Sequence, residues 1–480
     1  MKQESGPDTP SSAYATMAPL WDKISSVLGG TESMRERSTL YLPQHYRESQ
    51  ETYSERLSRA ILINSTEQTL GGWVGRPFSK PMQRNADIPE QFGVFLEDVD
   101  MLGNNLDVFC RQWFREGLAK GFSHVLVDFP DGTEVADGGV RTLADDRRDG
   151  LRPFLVHIPP ENVIAAYSEV VGGRERLTHV RIREDVVTRD GYDEQVLERV
   201  RVYEPGRVQL FEKRETRGRK AEWVLIEERD YNLDYVPLVT YYSQREGFML
   251  SKPPLLDLAN MNIAHWQSMS DQIAVLTVAR FPMLAASGGL DDGGDGGEGE
   301  VVVGPKALLS SRDPAGRVYY VEHTGKAIAS GRMDLMDLEE KMAKYGAEFL
   351  TKKPGRQTAT ARSLDSAEAT SPLQDMVHRF VDSVNLVLQY AADWQGLETG
   401  GTVDLNTDFG LSGQDTAALQ ALLETRRNRD ISREAFLREL QRYNVLDRSY
   451  DMEADSGSIE AEAAFEGIPR TPPTGEAVDV

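Results

Sequence analysis

Residues 254–284 read PLLDLANMNIAHWQSMSDQIAVLTVARFPML, and this stretch decides the fold. Large apolar residues recur in it at spacings of two to four, which is typical of one long helix. After an insert rich in Gly and acidic residues, residues 332–350 show the same spacing. Helices of this length need partners for their apolar faces, either each other in a hairpin or copies in a ring. The residues predicted to pack them are Leu258, Trp266, Ile273, Leu338 and Met342.

Toward the C-terminus, a loop with basic residues and helix breakers precedes the most regular stretch of the chain. That stretch, residues 371–394, has one continuous apolar stripe and is predicted to be a third long helix. Two shorter helices are predicted at 412–427 and 432–443. The residues after 447 carry many acidic and few basic side chains, a composition typical of a disordered tail.

Toward the N-terminus, residues 151–245 predict a β-rich region, because short runs of partial apolar alternation are separated there by turn residues. Helical spacing predicts further helices at 52–74 and 106–120. Residues 1–40 are rich in Ser, Pro and Gly, and apart from a short helix at 17–28 they are predicted to form a flexible arm. The whole pattern predicts the α+β class. The predicted strands of the β-rich region are 154–158, 163–167, 179–183, 200–203, 208–212 and 223–227.

The charge of the chain argues against a protein that wraps nucleic acid. Its net charge is −23, from 54 basic and 77 acidic residues, whereas binding to phosphate for affinity uses basic surfaces. A protein of this charge that meets DNA is expected to guide it without gripping it. The single cysteine, Cys110, excludes an internal disulfide and fits a reducing compartment. No run approaches the ~18 apolar residues of a membrane helix, and no signal peptide is visible, so a soluble protein made in a cytosol is expected.

The sequence shows no catalytic constellation. Residues 323–327 resemble the end of a phosphate-binding loop, but Tyr320 stands where a glycine is needed and Ala327 where Ser or Thr would hold magnesium. The seven histidines include no pair at the spacing of a helical zinc site. We therefore expect a non-enzymatic protein without metal or cofactor. A remote alternative is a metal-dependent nuclease or other hydrolase, for which Asp128 and Asp100 are the candidate carboxylates.

Several short segments of the sequence, taken in order, resemble segments of the portal proteins of tailed bacteriophages, in particular those of one family of siphophages and prophages. The resemblance covers about residues 40–395 and depends on the number and order of these segments. They are YLP (41–43), YSERLSRA (53–60), GGWVGRPF (71–78), DVDMLG (98–103), GFSHVLVDFP (121–130) and, most specific, PLLDLANMNIAHW (254–266).

The resemblance implies a portal fold assembled as a ring, commonly a dodecamer, at one vertex of the capsid in the virion. It implies a division of the chain into named parts. These are a wing domain (41–250), a first stem helix (251–284), a clip (285–330), a second stem helix (331–350), a tunnel loop (351–361), a wing-return helix (362–400), a helical crown (401–447) and an acidic disordered tail (448–480).

The resemblance also implies partners. Double-stranded DNA would pass through the channel, with the tunnel-loop residues Lys352, Lys353 and Arg356 as the basic groups nearest to it; ordinary solvated residues at a helix end are the alternative for these three. The clip would dock the terminase motor and later the head–tail adaptor, and the ring would sit in a shell of major capsid or scaffolding protein. Another non-catalytic head–tail connector or minor capsid protein is the alternative function, although adaptors are usually far shorter.

Overall fold

The computed structural model describes residues 6–130, 151–214, 221–280, 283–287, 290–291, 310–311, 315–321, 325–348, 371–407, 413–428, 430–442, 445–446, 450, 454–455 and 457–458. The chain divides into two compact units, Met1–Leu405 and Asn406–Val480. The described part mixes helices and antiparallel sheets, so the predicted α+β class is confirmed. No helix within these ranges is long and apolar enough to cross a membrane.

The described part of the first unit contains nine α-helices, three of which are long, besides four short 3-10 helices. In chain order they are α1 (Ser12–Leu28), α2 (Gly30–Glu36), α3 (Gln50–Arg59), α4 (Ser65–Gly75), α5 (Gly93–Glu97), α6 (Leu106–Lys120), α7 (Leu256–Ala279), α8 (Lys326–Glu348) and α9 (Pro372–Gln395). In the second unit the structure describes α10 (Gly413–Arg427) and α11 (Arg433–Arg442). These two agree with the helices predicted from spacing at 412–427 and 432–443.

The strands of the first unit form two larger sheets and several ribbons, all antiparallel. A three-stranded sheet has the order β11-β2-β3, and a five-stranded sheet has the order β10-β9-β8-β5-β4. The members of the first sheet are β2 (Phe122–Asp128), β3 (Phe154–Ile158) and β11 (Leu238–Tyr242). Those of the second are β4 (Val163–Val171), β5 (Arg174–Arg183), β8 (Arg199–Glu204), β9 (Arg207–Arg214) and β10 (Glu222–Asp230). Each predicted run in 151–245 lies within one of these strands.

Five two-stranded ribbons complete the sheet structure of the described residues. The ribbons pair β1 (Gln83–Arg84) with β18 (Val403–Asp404), β6 (Val186–Asp190) with β7 (Asp193–Leu197), β12 (Arg245–Gly247) with β13 (Leu250–Ser251), β14 (Met283–Ser287) with β17 (Arg317–Val321), and β15 (Leu290–Asp291) with β16 (Ser310–Ser311). A turn at 204–207 joins β8 to β9, and Gly206 takes the left-handed conformation (φ +76°) that a tight turn needs there.

An aromatic cluster holds α6 and α9 against the three-stranded sheet. The ring of Phe380 in α9 has its centroid 5.0 Å from those of Trp113, Phe114 and Tyr241. All four side chains are buried, and edge or tilted contacts of this kind add to the free energy of burial. At its start, α9 has a capping box between Ser371 and Gln374, which satisfies backbone donors that a helix leaves unpaired.

The short helix predicted at 17–28 is present as α1, which begins at Ser12; the flexible arm predicted for the rest of 1–40 is wrong for residues 12–16 and 30–36, which are helical. Met17, Trp21, Ile24 and Val27 of this helix are all at most 2% exposed. The indole Nε1 of Trp21 donates to the carbonyl of Lys120 at 3.0 Å. The burial of this apolar stripe anchors the segment in the core, which the Ser- and Pro-rich composition of residues 1–40 did not indicate.

The single helix predicted at 52–74 is instead two helices, α3 and α4, separated at 60–64. Asn64 caps the second one, because its side chain accepts from the backbone N–H of Glu67. The predicted first stem helix, 251–284, also ends earlier, at Ala279, and residues 283–287 form β14. Pro282 follows this end in the sequence, and proline cannot continue a helix. The second stem helix begins at Lys326, five residues before the predicted boundary at 331.

Candidate functional site

The two long helices α7 and α8 form an antiparallel hairpin within one chain, hereafter the helical hairpin. Side-chain hydrogen bonds join them at successive turns. His265 Nε2 donates to Glu339 Oε1 (3.2 Å), Ser268 Oγ to Asp334 Oδ2 (2.8 Å), and Gln272 Nε2 to the carbonyl of Ile328 (3.0 Å). Rising positions in α7 meet falling positions in α8, which fixes both the direction and the register of the pair.

Helix α4 attaches the helical hairpin to the rest of the unit. Asn262 of α7 is fully buried, and its Oδ1 accepts from both the backbone N–H and the hydroxyl of Thr66 at 3.1 Å. Its Nδ2 donates to the carbonyl of Ile63 at 2.8 Å. On α8, the carbonyl of Gly346 accepts from the indole of Trp73 at 3.2 Å. Both helices of the hairpin are therefore attached by hydrogen bonds to the same short helix, α4.

The residues predicted to pack the stem helices differ in burial. Leu258, Trp266 and Met342 are at most 1% exposed, and because they are buried within a single copy they serve contacts inside one chain. Ile273 and Leu338 are half-buried, and Ile273 lines a cleft described next. A role for these five residues in packing between neighbouring subunits stays a prediction.

A cleft of about 790 Å³ lies between residues 45–59 and the C-terminal half of α7. We call it the α3–α7 cleft, and its floor on α7 is apolar. At its side, Arg56 and Glu48 form a buried ion pair with 2.8 Å between Nη2 and Oε2. The hydrogen bond from Arg56 lowers the pKa of Glu48 to about 2, against the opposing effect of burial. The apolar floor consists of Ile273, Ala274 and Val275, and the polar Ser270, Asp271 and Thr277 of the same helix also line the cleft.

The rim of the α3–α7 cleft carries an unusual pair of residues. Tyr46 is 88% exposed, and the guanidinium of Arg47 lies 5.1 Å from its ring centroid. Arg47 has a left-handed backbone (φ +64°), a conformation that non-glycine residues hold only where the surroundings impose it. The other cations of the cleft have carboxylate partners, Arg56 with Glu48 and Arg59 with Glu55. Among the described residues, Arg47 has none.

The face of α8 that points away from α7 is also exposed. Met333 and Met336 are 67% and 58% exposed, and Asp337 and Glu340 lie on the same side of the helix. Exposed methionines on a structured helix are typical of a contact surface rather than of plain solvent exposure. Neither carboxylate has a hydrogen-bond or ion-pair partner within the described ranges.

The residues predicted to face DNA lie outside the described residues. Lys352, Lys353 and Arg356 fall between 348 and 371, as does the whole predicted tunnel loop. Of the predicted clip, the structure describes β14, the short strands β15 and β16, β17 and the start of α8. Residues 301–303, three consecutive valines that also predict a strand, lie outside the described residues. Gly325 has φ +73° and lies just before Lys326, the first residue of α8, so the loop-like motif at 323–327 runs into this helix.

The two carboxylates of the hydrolase alternative are engaged in structural contacts. Asp100 accepts from the backbone N–H of Leu102 and from both the backbone and the side chain of Asn104. Asp128 forms an ion pair with Arg229 at 3.1 Å. Within the described part of the chain, no three His, Cys, Asp or Glu side chains come together as a metal site would require. Cys110 is fully buried, and burial raises the pKa of its thiol.

Comparison with known families places part of this architecture in a recognised unit. Residues 254–395, which run from the start of the helical hairpin through α9, match the family described as "Domain of unknown function (DUF4055)". This match covers less than a third of the chain and assigns no activity. No curated protein matches the sequence.

Solved structures with some similarity come from gene transfer agent (GTA) particles, all at 11% identity. One is from the virion of the native GTA particle, with a TM-score of 0.38, covering 82% of this chain and 94% of that one. Two are from necks: that of the empty particle, computed with C6 symmetry (TM-score 0.38; 84% and 90% covered), and that of the native particle, computed with C12 symmetry (0.36; 78% and 88%). TM-scores below 0.5 do not establish a shared fold.

Proposed function

We propose that this chain is the portal subunit of a tailed bacteriophage, a non-catalytic protein that forms a ring at one capsid vertex around double-stranded DNA. The observation that carries the proposal is the helical hairpin, which exposes two unlike surfaces. One is the α3–α7 cleft, and the other is the outer face of α8, the face that points away from α7 and carries Met333 and Met336. Contacts between unlike faces repeat from copy to copy, and they close into a ring when the rotation allows it. The presence of two unlike exposed faces on one chain supports assembly of the chain with itself.

The charge of the chain suits a conduit. With a net charge of −23, a ring of such subunits repels phosphate and lets a driven strand slide. Tight binding of each phosphate would instead slow the strand. In this proposal Lys352, Lys353 and Arg356 supply the few transient phosphate contacts, and the terminase supplies the energy.

The order of parts along the chain supports the same assignment. Helix α7 leads into the β14–β17 ribbon, and α8 returns to the base, so the ribbon stands where the hairpin turns. This is the position of the predicted clip, the part proposed to dock the terminase and later the head–tail adaptor. Helix α9 then packs against β11 of the three-stranded sheet, consistent with a wing-return helix.

Electron microscopy of the purified, full-length, untagged chain tests the proposal. Class averages viewed down the particle axis should show rings with a central hole and about twelvefold symmetry. Compact particles of two or four subunits without a channel would refute it. If the chain alone stays monomeric, the same imaging is applied to particles assembled with the capsid and scaffolding proteins of the same phage. Absence of the chain from a capsid vertex there would refute the proposal equally.

A further inference from the structure

The α3–α7 cleft and helix α8 lie on opposite sides of α7. The residues of α7 that bond α8 are His265, Ser268 and Gln272. Ser270 and Ala274, which line the cleft, are each two residues from one of these. Since a helix turns by ~100° per residue, two residues correspond to about 200°. The cleft therefore opens away from α8.

The same reasoning applies to α8. Its most buried residues, Leu335 and Met342, are seven positions apart and face the interior. Met333 and Glu340 are also seven positions apart but are each offset by two residues from this row, so they point to the other side. The hairpin is thus a slab two helices thick, with the cleft on one surface and an exposed row of methionine and acid on the other.

We propose that the α3–α7 cleft receives the outer face of α8 from a second copy of this chain. In this contact Met333 and Met336 cover the apolar floor, and Asp337 with Glu340 lies beside Arg47. The proposal rests on the ring proposed above and specifies its interface.

Two observations favour a second copy as the occupant. The two surfaces are complementary in polarity and charge. The cleft offers an apolar floor and Arg47, which has no carboxylate partner among the described residues. The outer face of α8 offers two exposed methionines and the carboxylates of Asp337 and Glu340, which have no cation partner there. The two surfaces also lie on opposite sides of the helical hairpin. Each copy can therefore bind one neighbour through its cleft and the other neighbour through α8, and every copy in a closed ring uses both surfaces. Tyr46 at the rim supplies the kind of large exposed aromatic side chain that concentrates binding energy in protein interfaces.

Charge reversal tests the contact. Arg47→Glu and Asp337→Lys each place like charges across the proposed interface, and both residues are exposed, so folding is not at stake. Each variant alone should need about tenfold more protein to form rings, as judged by analytical ultracentrifugation and electron microscopy. Mixed one to one, the two variants should form rings at the wild-type concentration, because alternating copies then meet with opposite charges at every contact. Glu222→Lys, on the exposed part of β10, is the matched control and should assemble normally.

Crosslinking gives an independent readout. A chain with Thr52→Cys at the cleft and Met333→Cys on α8 should give a ladder of covalent multimers with a short bis-maleimide, since the native Cys110 is buried. Tyr192→Cys combined with Met333→Cys, in which Tyr192 lies at the exposed tip of the β6–β7 ribbon, should not.

The outcomes separate the two proposals. If the wild-type chain forms rings while both reversals assemble unchanged and the cleft pair gives no ladder, this interface is wrong and the portal proposal stands. If no ring forms under any of the conditions given above, the portal proposal fails and the interface fails with it.

Discussion

Asn262 is predicted to be the most costly polar residue of the helical hairpin to remove. Its side chain makes three hydrogen bonds to Thr66 and Ile63, and both Asn262 and Thr66 are fully buried. The backbone N–H of Thr66 belongs to the first turn of α4, where no carbonyl of the same helix can accept it. Asn262 therefore acts as a cap supplied from a distant part of the chain.

The substitution Asn262→Ala leaves the backbone N–H and the hydroxyl of Thr66 buried without this partner, whereas the carbonyl of Ile63 still accepts from the backbone N–H of Ser65. Each of these two groups costs about 1–3 kcal/mol when it is buried and unsatisfied, so a loss of at least about 2 kcal/mol in the free energy of unfolding is expected. Guanidinium unfolding followed by tryptophan fluorescence measures it, since Trp266 of α7 and Trp73 of α4 are both buried in the folded chain. The midpoint should fall while the slope is unchanged.

Asn260 provides the matched control. It lies two positions away on the same helix and is exposed, and its side chain accepts a hydrogen bond from the half-buried Lys23. Asn260→Ala should change the free energy of unfolding by less than about 0.5 kcal/mol. A midpoint for Asn262→Ala equal to that of Asn260→Ala would refute the reasoning, because the distant cap would then contribute nothing.

Three further predictions follow from buried groups. Burial, with a smaller effect of His157, lowers the pKa of His124 to about 3. The imidazole of the unfolded chain takes up a proton below about pH 6.5, whereas that of the folded chain does not. The free energy of unfolding therefore has its full value above about pH 6.5 and falls by up to about 1.4 kcal/mol per pH unit down to about pH 3. His124→Gln should remove that part of the slope in thermal unfolding between about pH 7 and about pH 4. Arg56→Met should cost about 3–5 kcal/mol at neutral pH, because it leaves the Glu48 carboxylate buried without its partner. The folded pKa of Glu48 is about 2, so the wild type loses this contribution as pH falls from about 4.5 to about 2, and the difference between variant and wild type should narrow there. Gly400→Ala should destabilise by about 3 kcal/mol, because its Cβ would lie 2.2 Å from the backbone of Leu388.

Each of these has an outcome that contradicts it. An acid profile of His124→Gln identical to that of the wild type would show that the imidazole is not the group that titrates. A constant difference for Arg56→Met across the acid range would exclude the ion pair as its cause. Gly71→Ala is the control for Gly400→Ala, since a Cβ at Gly71 meets nothing within 4 Å and should stabilise α4 by up to about 1 kcal/mol.

The elements that were predictable are those whose pattern is local. Helix α9 was expected at 371–394 and spans Pro372–Gln395, because its apolar stripe is continuous. The break between α3 and α4 also has a local signal: Asn64 followed three residues later by Glu67 has the spacing of a helix start. Helical periodicity on both sides of the break concealed it.

The remainder depends on contacts between distant segments. Strand β14 pairs with β17, about thirty residues away, and nothing within 283–287 alone distinguishes it from the end of a helix. The α3–α7 cleft joins residues 45–59 to α7, more than 200 positions later in the chain. The sequence predicted the two long helices and left their pairing open. The side-chain hydrogen bonds between α7 and α8 show that the two helices pair as a hairpin within one chain.

The three polar bonds along the helical hairpin have a mechanical consequence. Apolar ridges can slide past each other in small steps, but a slip of one turn, ~5.4 Å, would break all three of these bonds at once. The hairpin therefore behaves as a stiff lever rather than as two sliding rods. A load applied at the β14–β17 ribbon is carried along its length to α4, which holds both helices at the base.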